Sequence, residues 1–216
     1  MNNLLYITAN SKPEHLSSSK TVSRIVVNRI LDKYQELKLE ELDLYFQYIP
    51  RPKYHYFSSR SAMIDNDTIL KLSQPEQNEI QQMIQLCDQF ISASIVVFAA
   101  PMWSLSFPGI VKDYIDSIIL KDKTIAFENN MPKGLLNDKQ RTFIYVQASG
   151  ANIPFLMKPA LNKGGSYLLN IIKFLGFSSV EELLVDGTGT SEEERLKAIS
   201  KAKDKIDNLL NSVLFE

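Results

Sequence analysis

Ile95-Val96-Val97-Phe98-Ala99-Ala100 is apolar at every position and runs straight into Pro101-Met102-Trp103-Ser104-Leu105-Ser106-Phe107-Pro108-Gly109. A strand with one wet face alternates apolar and polar residues, so a run without alternation is covered on both faces, as in the middle of a parallel sheet. Similar runs stand at Leu4-Leu5-Tyr6-Ile7, Phe143-Ile144-Tyr145-Val146 and Leu183-Leu184-Val185, while Leu37, Leu39, Leu42 and Leu44 alternate imperfectly with charged residues as a further strand. Between these runs, apolar residues recur at spacings of three and four. They are Val22, Ile25, Val26, Ile30 and Leu31; Met83, Cys87, Phe90 and Ile91; Ile110 to Ile119; Leu168, Leu169, Ile172 and Leu175, stopped by Gly176; and Leu196, Ile199, Ile206 and Leu210 behind the capping box of Ser191 and Glu194. Five strands alternating with five helices predict a doubly wound α/β fold, a five-stranded parallel sheet with helices on both faces, because parallel neighbours need helical crossovers. Residues 1–216 read as one domain, with an irregular insertion at 48–73 rich in Tyr, Pro and Arg.

Composition narrows the function. Of 216 residues, 44% are hydrophobic, and 24 Lys and Arg face 25 Asp and Glu, so no surplus of positive charge exists to hold a polyanion; nucleic acid is not an expected partner. The single cysteine, Cys87, cannot close an intrachain disulfide, and with only His15 and His55 it cannot build a Cys/His zinc cluster. No apolar run approaches the roughly 20 residues of a membrane span. The expectation is a cytoplasmic protein without a structural metal.

In open α/β sheets ligands gather at the carboxyl ends of the strands, which directs attention to the loops after the first, third and fourth. The first, Ala9-Asn10-Ser11-Lys12-Pro13-Glu14-His15-Leu16-Ser17-Ser18-Ser19, contains no glycine, so it is neither a Gly-rich dinucleotide fingerprint nor a P-loop. Its serines at the mouth of a helix suit a phosphate dianion, although taken alone they read more simply as one N-cap and solvated loop. The loop after the third strand places Met102, Trp103 and Leu105 where polar residues are usual, which offers either a wall for a flat apolar ring or packing under the next helix. The loop Gln147-Ala148-Ser149-Gly150-Ala151-Asn152 is small and hydrogen-bonding. Together the three describe a pocket for a mononucleotide with a large planar head, and FMN fits that description.

The segment Ala100 to Asp116, APMWSLSFPGIVKDYID, resembles the A-P-M-[WY]-N-F motif and following helix of the flavodoxin-like FMN-dependent azoreductases, also described as NADH:quinone oxidoreductases. The likeness covers almost the whole chain. It implies a cofactor site in which Ser11, Ser17, Ser18 and Ser19 hold the phosphate and ribityl chain. It sets Met102, Trp103, Ser104 and Leu105 against the ring, with Gln147, Ala148, Ser149 and Gly150 on its polar edge. Ser104 and Leu105 stand where the family usually has Asn and Phe, and Ser149-Gly150-Ala151 keeps one glycine of a usual pair. The implied activity is electron transfer from NADH or NADPH through bound FMN to quinones or azo compounds, with ping-pong kinetics and no protein nucleophile or general base; no catalytic residue is named. The implied assembly is a homodimer, with Phe127 and Phe174 lining the partner's substrate pocket and the helices at Ile110 to Ile119 and Leu168 to Leu175 supplying the interface. The rival reading, a flavodoxin-like electron carrier without a small acceptor, fits an acidic chain better than this nearly neutral one.

Overall fold

The computed structural model describes residues 3–213, without the side chains of residues 155, 158, 159 and 213; residues 1, 2 and 214–216 of the expected domain lie outside the described residues. Five strands form the central sheet: β1 (Asn3–Thr8), β2 (Lys38–Asp43), β3 (Ala93–Pro101), β4 (Thr142–Ser149) and β5 (Ser179–Asp186). Their order is β2-β1-β3-β4-β5, every pair parallel. The main helices are α1 (Ser18–Lys33), α2 (Gln74–Ser92), α3 (Gly109–Ile118), α4 (Lys163–Leu175), α5 (Glu192–Lys203) and α6 (Ile206–Val213).

Alternation along the strands divides the core in two. Leu5, Ile7, Phe98, Phe143 and Tyr145 pack with Met83, Phe90, Tyr114, Leu168 and Ile172 of α2, α3 and α4. On the opposite face Leu4, Tyr6, Val97, Ile144 and Val146 pack with Val22, Val26, Ile199, Ala202 and Leu210 of α1, α5 and α6. The expected doubly wound sheet is therefore present. Cys87 is fully buried, and burial pushes its thiol up to about 12, consistent with inert packing.

One expectation changes, and two further elements are more elaborate than the sequence pattern. The last helix is two, with the break at Asp204, and Leu196 is exposed rather than part of its stripe. The buried residues are Ala198, Ile199, Ala202, Ile206 and Leu210, and Leu196 lies off the edge of this stripe. The helices α3 and α4 spend most of their apolar stripes on their own core: Val111, Tyr114, Ile115, Ile118, Leu168, Ile172 and Leu175 are all buried within the chain. Phe127 lies in a hairpin of Ile125–Glu128 with Met131–Gly134. It packs half-buried against the α2–α4 side of the core, with the Arg60 guanidinium 5.4 Å from its ring centroid.

The insertion at 48–73 carries its own short elements, including a hairpin of Phe57–Ser59 with Ala62–Met63. Glu79 of α2 anchors it, accepting hydrogen bonds from Tyr48 Oη (2.9 Å), Lys53 Nζ (2.9 Å) and Tyr56 Oη. Among the described residues, no helix is long and apolar enough to cross a membrane, and no group of three or more His, Cys, Asp or Glu is arranged to hold a metal ion.

Candidate functional site

A cleft of about 460 Å³ opens at the carboxyl ends of β1, β3, β4 and β5. Its floor on the β1 side is Asn10, Lys12, Leu16, Ser17 and Ser18. Ser17 is the N-cap of α1, accepting from Lys20 N at 3.4 Å; Asn10 Nδ2 also donates to its hydroxyl at 2.9 Å, and Ser19 Oγ lies 3.2 Å away. The cap and the ligand-site readings of these serines thus hold together. Ser17 and Ser19 stiffen the loop, while Ser18, with no side-chain partner among the described residues, lines the cleft. The backbone N–H groups of Ser18 and Ser19, in the first turn, have no acceptor within the helix and carry its positive end. Lys20, 4% exposed, ties the loop down from below, donating from Nζ to Asp43 at 2.7 Å and to the Lys12 carbonyl at 3.1 Å. Ser11 is exposed and does not line the cleft.

The β3 side contributes Pro101, Met102 and Trp103. Met102 N donates to Ala148 O at 2.7 Å, so this wall is fixed to the end of β4. Trp103 and Ser106 exchange two backbone hydrogen bonds, 3.0 and 2.9 Å, around Ser104 (φ 51°) and Leu105 (φ 61°). These two residues form a tight turn beside the cleft and are not among its lining residues. Trp103 is 45% exposed and meets the Tyr45 ring edge-on, centroids 6.5 Å apart.

From β4 come Ala148 and Gly150. The structure does not bring the Gln147 side chain to the cleft. Strand alternation turns it to the opposite face of the sheet, where it is fully buried and its Nε2 donates to Tyr145 Oη at 3.2 Å. Ser149 is nearly buried, and its carbonyl accepts from Thr188 N (3.0 Å) and Thr188 Oγ1 (3.1 Å). Phe127 and Phe174 do not line this cleft; Phe174 is 40% exposed on the last turn of α4.

The fourth wall was missed by sequence reasoning. Thr188, Gly189, Thr190, Ser191, Glu192 and Arg195, from the loop after β5 and the first turn of α5, face the same space as Ser17 and Ser18. The available signal was the pair Gly187 and Gly189, which both adopt positive φ (73° and 55°) and let the loop lie against Ala151 and Gly150 through Gly187 N (3.3 Å) and Gly189 N (3.0 Å). Arg195 holds the Glu192 carboxyl below its usual range by a two-pronged hydrogen bond.

A family profile described as a flavodoxin-like fold matches residues 2–210. The FMN-dependent NADH:quinone oxidoreductase of Ruminiclostridium cellulolyticum is 58% identical, covering 99% of this chain and 100% of that protein. A protein of the same name from Clostridium botulinum (strain Eklund 17B) is 50% identical over 99% of this chain and 100% of its own. Among solved structures, an azoreductase from Bacillus anthracis shares the fold at a TM-score of 0.80 and 20% identity, over 98% of this chain and 100% of that one. An FMN-dependent NADH-azoreductase from the same species, solved in complex with FMN, does so at 0.74 and 22%, over 97% and 99%. With this likeness end to end and the strand order of the sheet, the chain belongs to the flavodoxin-like family of FMN-dependent NADH:quinone oxidoreductases.

Proposed function

We propose that this protein is an FMN-dependent oxidoreductase that passes electrons from NADH or NADPH to quinones and azo compounds. The observation that carries the reading is a single cleft in which the unpaired N–H groups at the start of a 16-residue helix and the apolar Met102–Trp103 wall face one another's space. That pairing suits a molecule with an anionic end and a flat end. The chemistry that FMN supplies when bound is two-electron transfer. The chain's own task is to hold and orient it. Ser17, Ser18 and the first-turn N–H groups receive the phosphate, with Ser19 bracing Ser17; Met102 and Trp103 exclude water from one side, and Gly150 permits close backbone approach. By resemblance to the family, Ser11, Ser104, Leu105, Gln147 and Ser149 also belong to the proposed cofactor site, although none of them is among the residues that line the cleft.

The reading includes ping-pong kinetics, because the flat wall accommodates one ring at a time, and a homodimer in which the exposed Phe174 and the hairpin bearing Phe127 line the partner's substrate pocket. A lone buried cysteine suits the reducing cytoplasm. The test is flavin identification after heat release, followed by NADH oxidation with a simple quinone at several fixed acceptor concentrations. Released FMN, turnover and parallel double-reciprocal lines are expected. Bound FAD or no turnover would sink the oxidoreductase reading, and intersecting lines would sink the ping-pong step alone. For the dimer, light scattering is expected to give about twice the chain mass of 24.6 kDa. Phe174→Ala is expected to raise the acceptor KM with flavin content unchanged.

A further inference from the structure

The loop after β5 has no part in the phosphate reading drawn from the β1 side, yet it is built as firmly as the loops that do. Beyond its bonds to Ser149 and Gly150, Glu194 accepts from Thr190 N at 3.0 Å and Ser191 N at 3.1 Å, which fixes the entry to α5. One turn in, Arg195 lines the cleft on the same face of the sheet as α1. Its side chain is 18% exposed and forks onto Glu192 through Nε and Nη2, both at 2.7 Å. The remaining terminal nitrogen, Nη1, is buried with no acceptor among the described residues. A buried donor without a partner carries its full desolvation cost, so the arrangement is complete only when something supplies an acceptor. The Glu192 carboxylate is 64% exposed, so water screens it and it is a replaceable partner.

We propose that Arg195 is a second anchor for the cofactor phosphate, gripping it from across the cleft while the N-terminus of α1 holds it from the other side; this rests on the FMN reading above. A phosphate monoester competes with Glu192 for the guanidinium fork, the planar two-point recognition that lysine cannot reproduce, and a guanidinium turned from Glu192 to the phosphate gives Nη1 an acceptor as well. The geometry makes Arg195 a determinant of FMN over flavins that lack the phosphate.

The test is titration of the flavin-free protein with FMN and, separately, with riboflavin, which has the same ring and no phosphate, following flavin fluorescence. Arg195→Ala is expected to weaken FMN about tenfold or more, as for loss of a charge-assisted bond, and to leave riboflavin within about twofold. Arg195→Lys is expected to fall between, and the salt dependence of FMN binding to flatten in Arg195→Ala. Glu192→Gln leaves Arg195 in place and frees its fork, so the preference for FMN over riboflavin is expected to rise. Equal weakening of both flavins in Arg195→Ala, or an unchanged preference in every variant, overturns the anchor and leaves Arg195 as a brace for α5. A wild-type protein that binds neither flavin overturns the FMN reading itself.

Discussion

Two turns in this molecule share a backbone shape and differ in what fills it. Asn129 and Asn130 join the strands Ile125–Glu128 and Met131–Gly134 with φ of 50° and 64°. Ser104 and Leu105 join Trp103 to Ser106 with φ of 51° and 61°. Two-residue turns with positive φ at both centres favour Asn and Gly, because a Cβ crowds the following carbonyl in that region. Asn129-Asn130 obeys the rule; Ser104-Leu105 breaks it, and it is the one beside the cleft. Unfavourable backbone kept at one place and avoided at another marks where the surroundings hold the chain to a shape its own residues would not choose.

The Ser104-Leu105 turn and the base of the hairpin that carries Asn129-Asn130 both lean on α4, one at each end, and that support offers the largest test. A Cβ at Gly164 would lie 2.5 Å from Ser106 Cα, and one at Gly134 would lie 2.1 Å from Phe174 O; neither can be relieved without moving, respectively, the turn beside Trp103 or the base of the hairpin. Gly164→Ala and Gly134→Ala are each expected to cost about 1 to 3 kcal/mol in urea unfolding, the range for overpacking. They should separate in flavin titrations. Gly164→Ala displaces the turn beside Trp103 and is expected to weaken FMN, whereas Gly134→Ala leaves it unchanged. Flavin binding indifferent to Gly164→Ala would remove the turn from the site.

A third short connector, Arg60-Ser61, tips the insertion hairpin, with only Ser61 (φ 55°) in the left-handed region. It sits on a looser base, the Glu79 cluster. Tyr56 is fully buried and donates to Glu79, so Glu79→Ala is expected to cost about 1 to 2 kcal/mol through a lost bond and a stranded hydroxyl. Trypsin cleavage at Lys53 and Arg60 should rise with it. The Tyr56 hydroxyl first, then Lys53, holds the Glu79 carboxyl below its ordinary value. A carboxyl depressed in the folded state contributes its full stability above the unfolded value of about 4.3 and loses it as pH falls through the lower folded value. Protection of the insertion's backbone N–H groups from hydrogen exchange is therefore expected to fade on acidification below about pH 4.3. Protection that is flat from neutral pH to below that value would mean that Glu79 is not the anchor.

These connectors also mark where sequence reading stopped. The strands and most helices were legible because a buried parallel sheet leaves unbroken apolar runs such as Ile95 to Ala100, and amphipathic helices leave a period of three and four. The β1–α1 and β3–α3 loops were legible because each carries an unusual residue type, clustered serines or an exposed tryptophan. The Asn129-Asn130 hairpin carried a turn signal, but its strands of four residues are too short and polar to show a period. The loop after β5 read as an ordinary capping box, and its one signal, the paired Gly187 and Gly189, marked a close turn without showing that the cleft reached it. The parity of Gln147 depends on strand register: one position moves a side chain to the other face.

Relief of the strained turn comes next in size. In Leu105→Gly the left-handed backbone no longer costs the roughly 1 to 2 kcal/mol of an L-residue, partly offset by the greater freedom of glycine in the unfolded chain. Leu105 is 48% exposed, so the burial lost is that of a half-covered side chain and offsets part of the gain. A gain of about 0.5 to 1 kcal/mol in apo-protein stability is expected from thermal unfolding, with FMN bound more weakly because glycine surrenders the preset shape. A loss of stability would show that Leu105 packs for its place and is not held there under strain.

The smallest effect is the most direct, because it swaps residues between the two turns. Asn is the side chain besides glycine that tolerates the left-handed region best, and the first centre of each turn, Ser104 or Asn129, takes nearly the same φ. Ser104→Asn is expected to raise apo-protein stability by about 0.3 to 0.5 kcal/mol, and Asn129→Ser to lower it by a similar amount, since the backbone term is the same and only its sign changes. Asn is also the residue that the resembling family usually carries at position 104, so FMN binding should survive the first exchange. Differential scanning calorimetry of both single variants and of the double exchange decides the matter. If backbone preference alone separates the turns, the double variant returns to wild-type stability, because sites this distinct add. A Ser104→Asn protein less stable than wild type would mean that the serine is selected by a contact of its hydroxyl, and the contrast between the turns would then rest on side-chain chemistry instead of backbone strain.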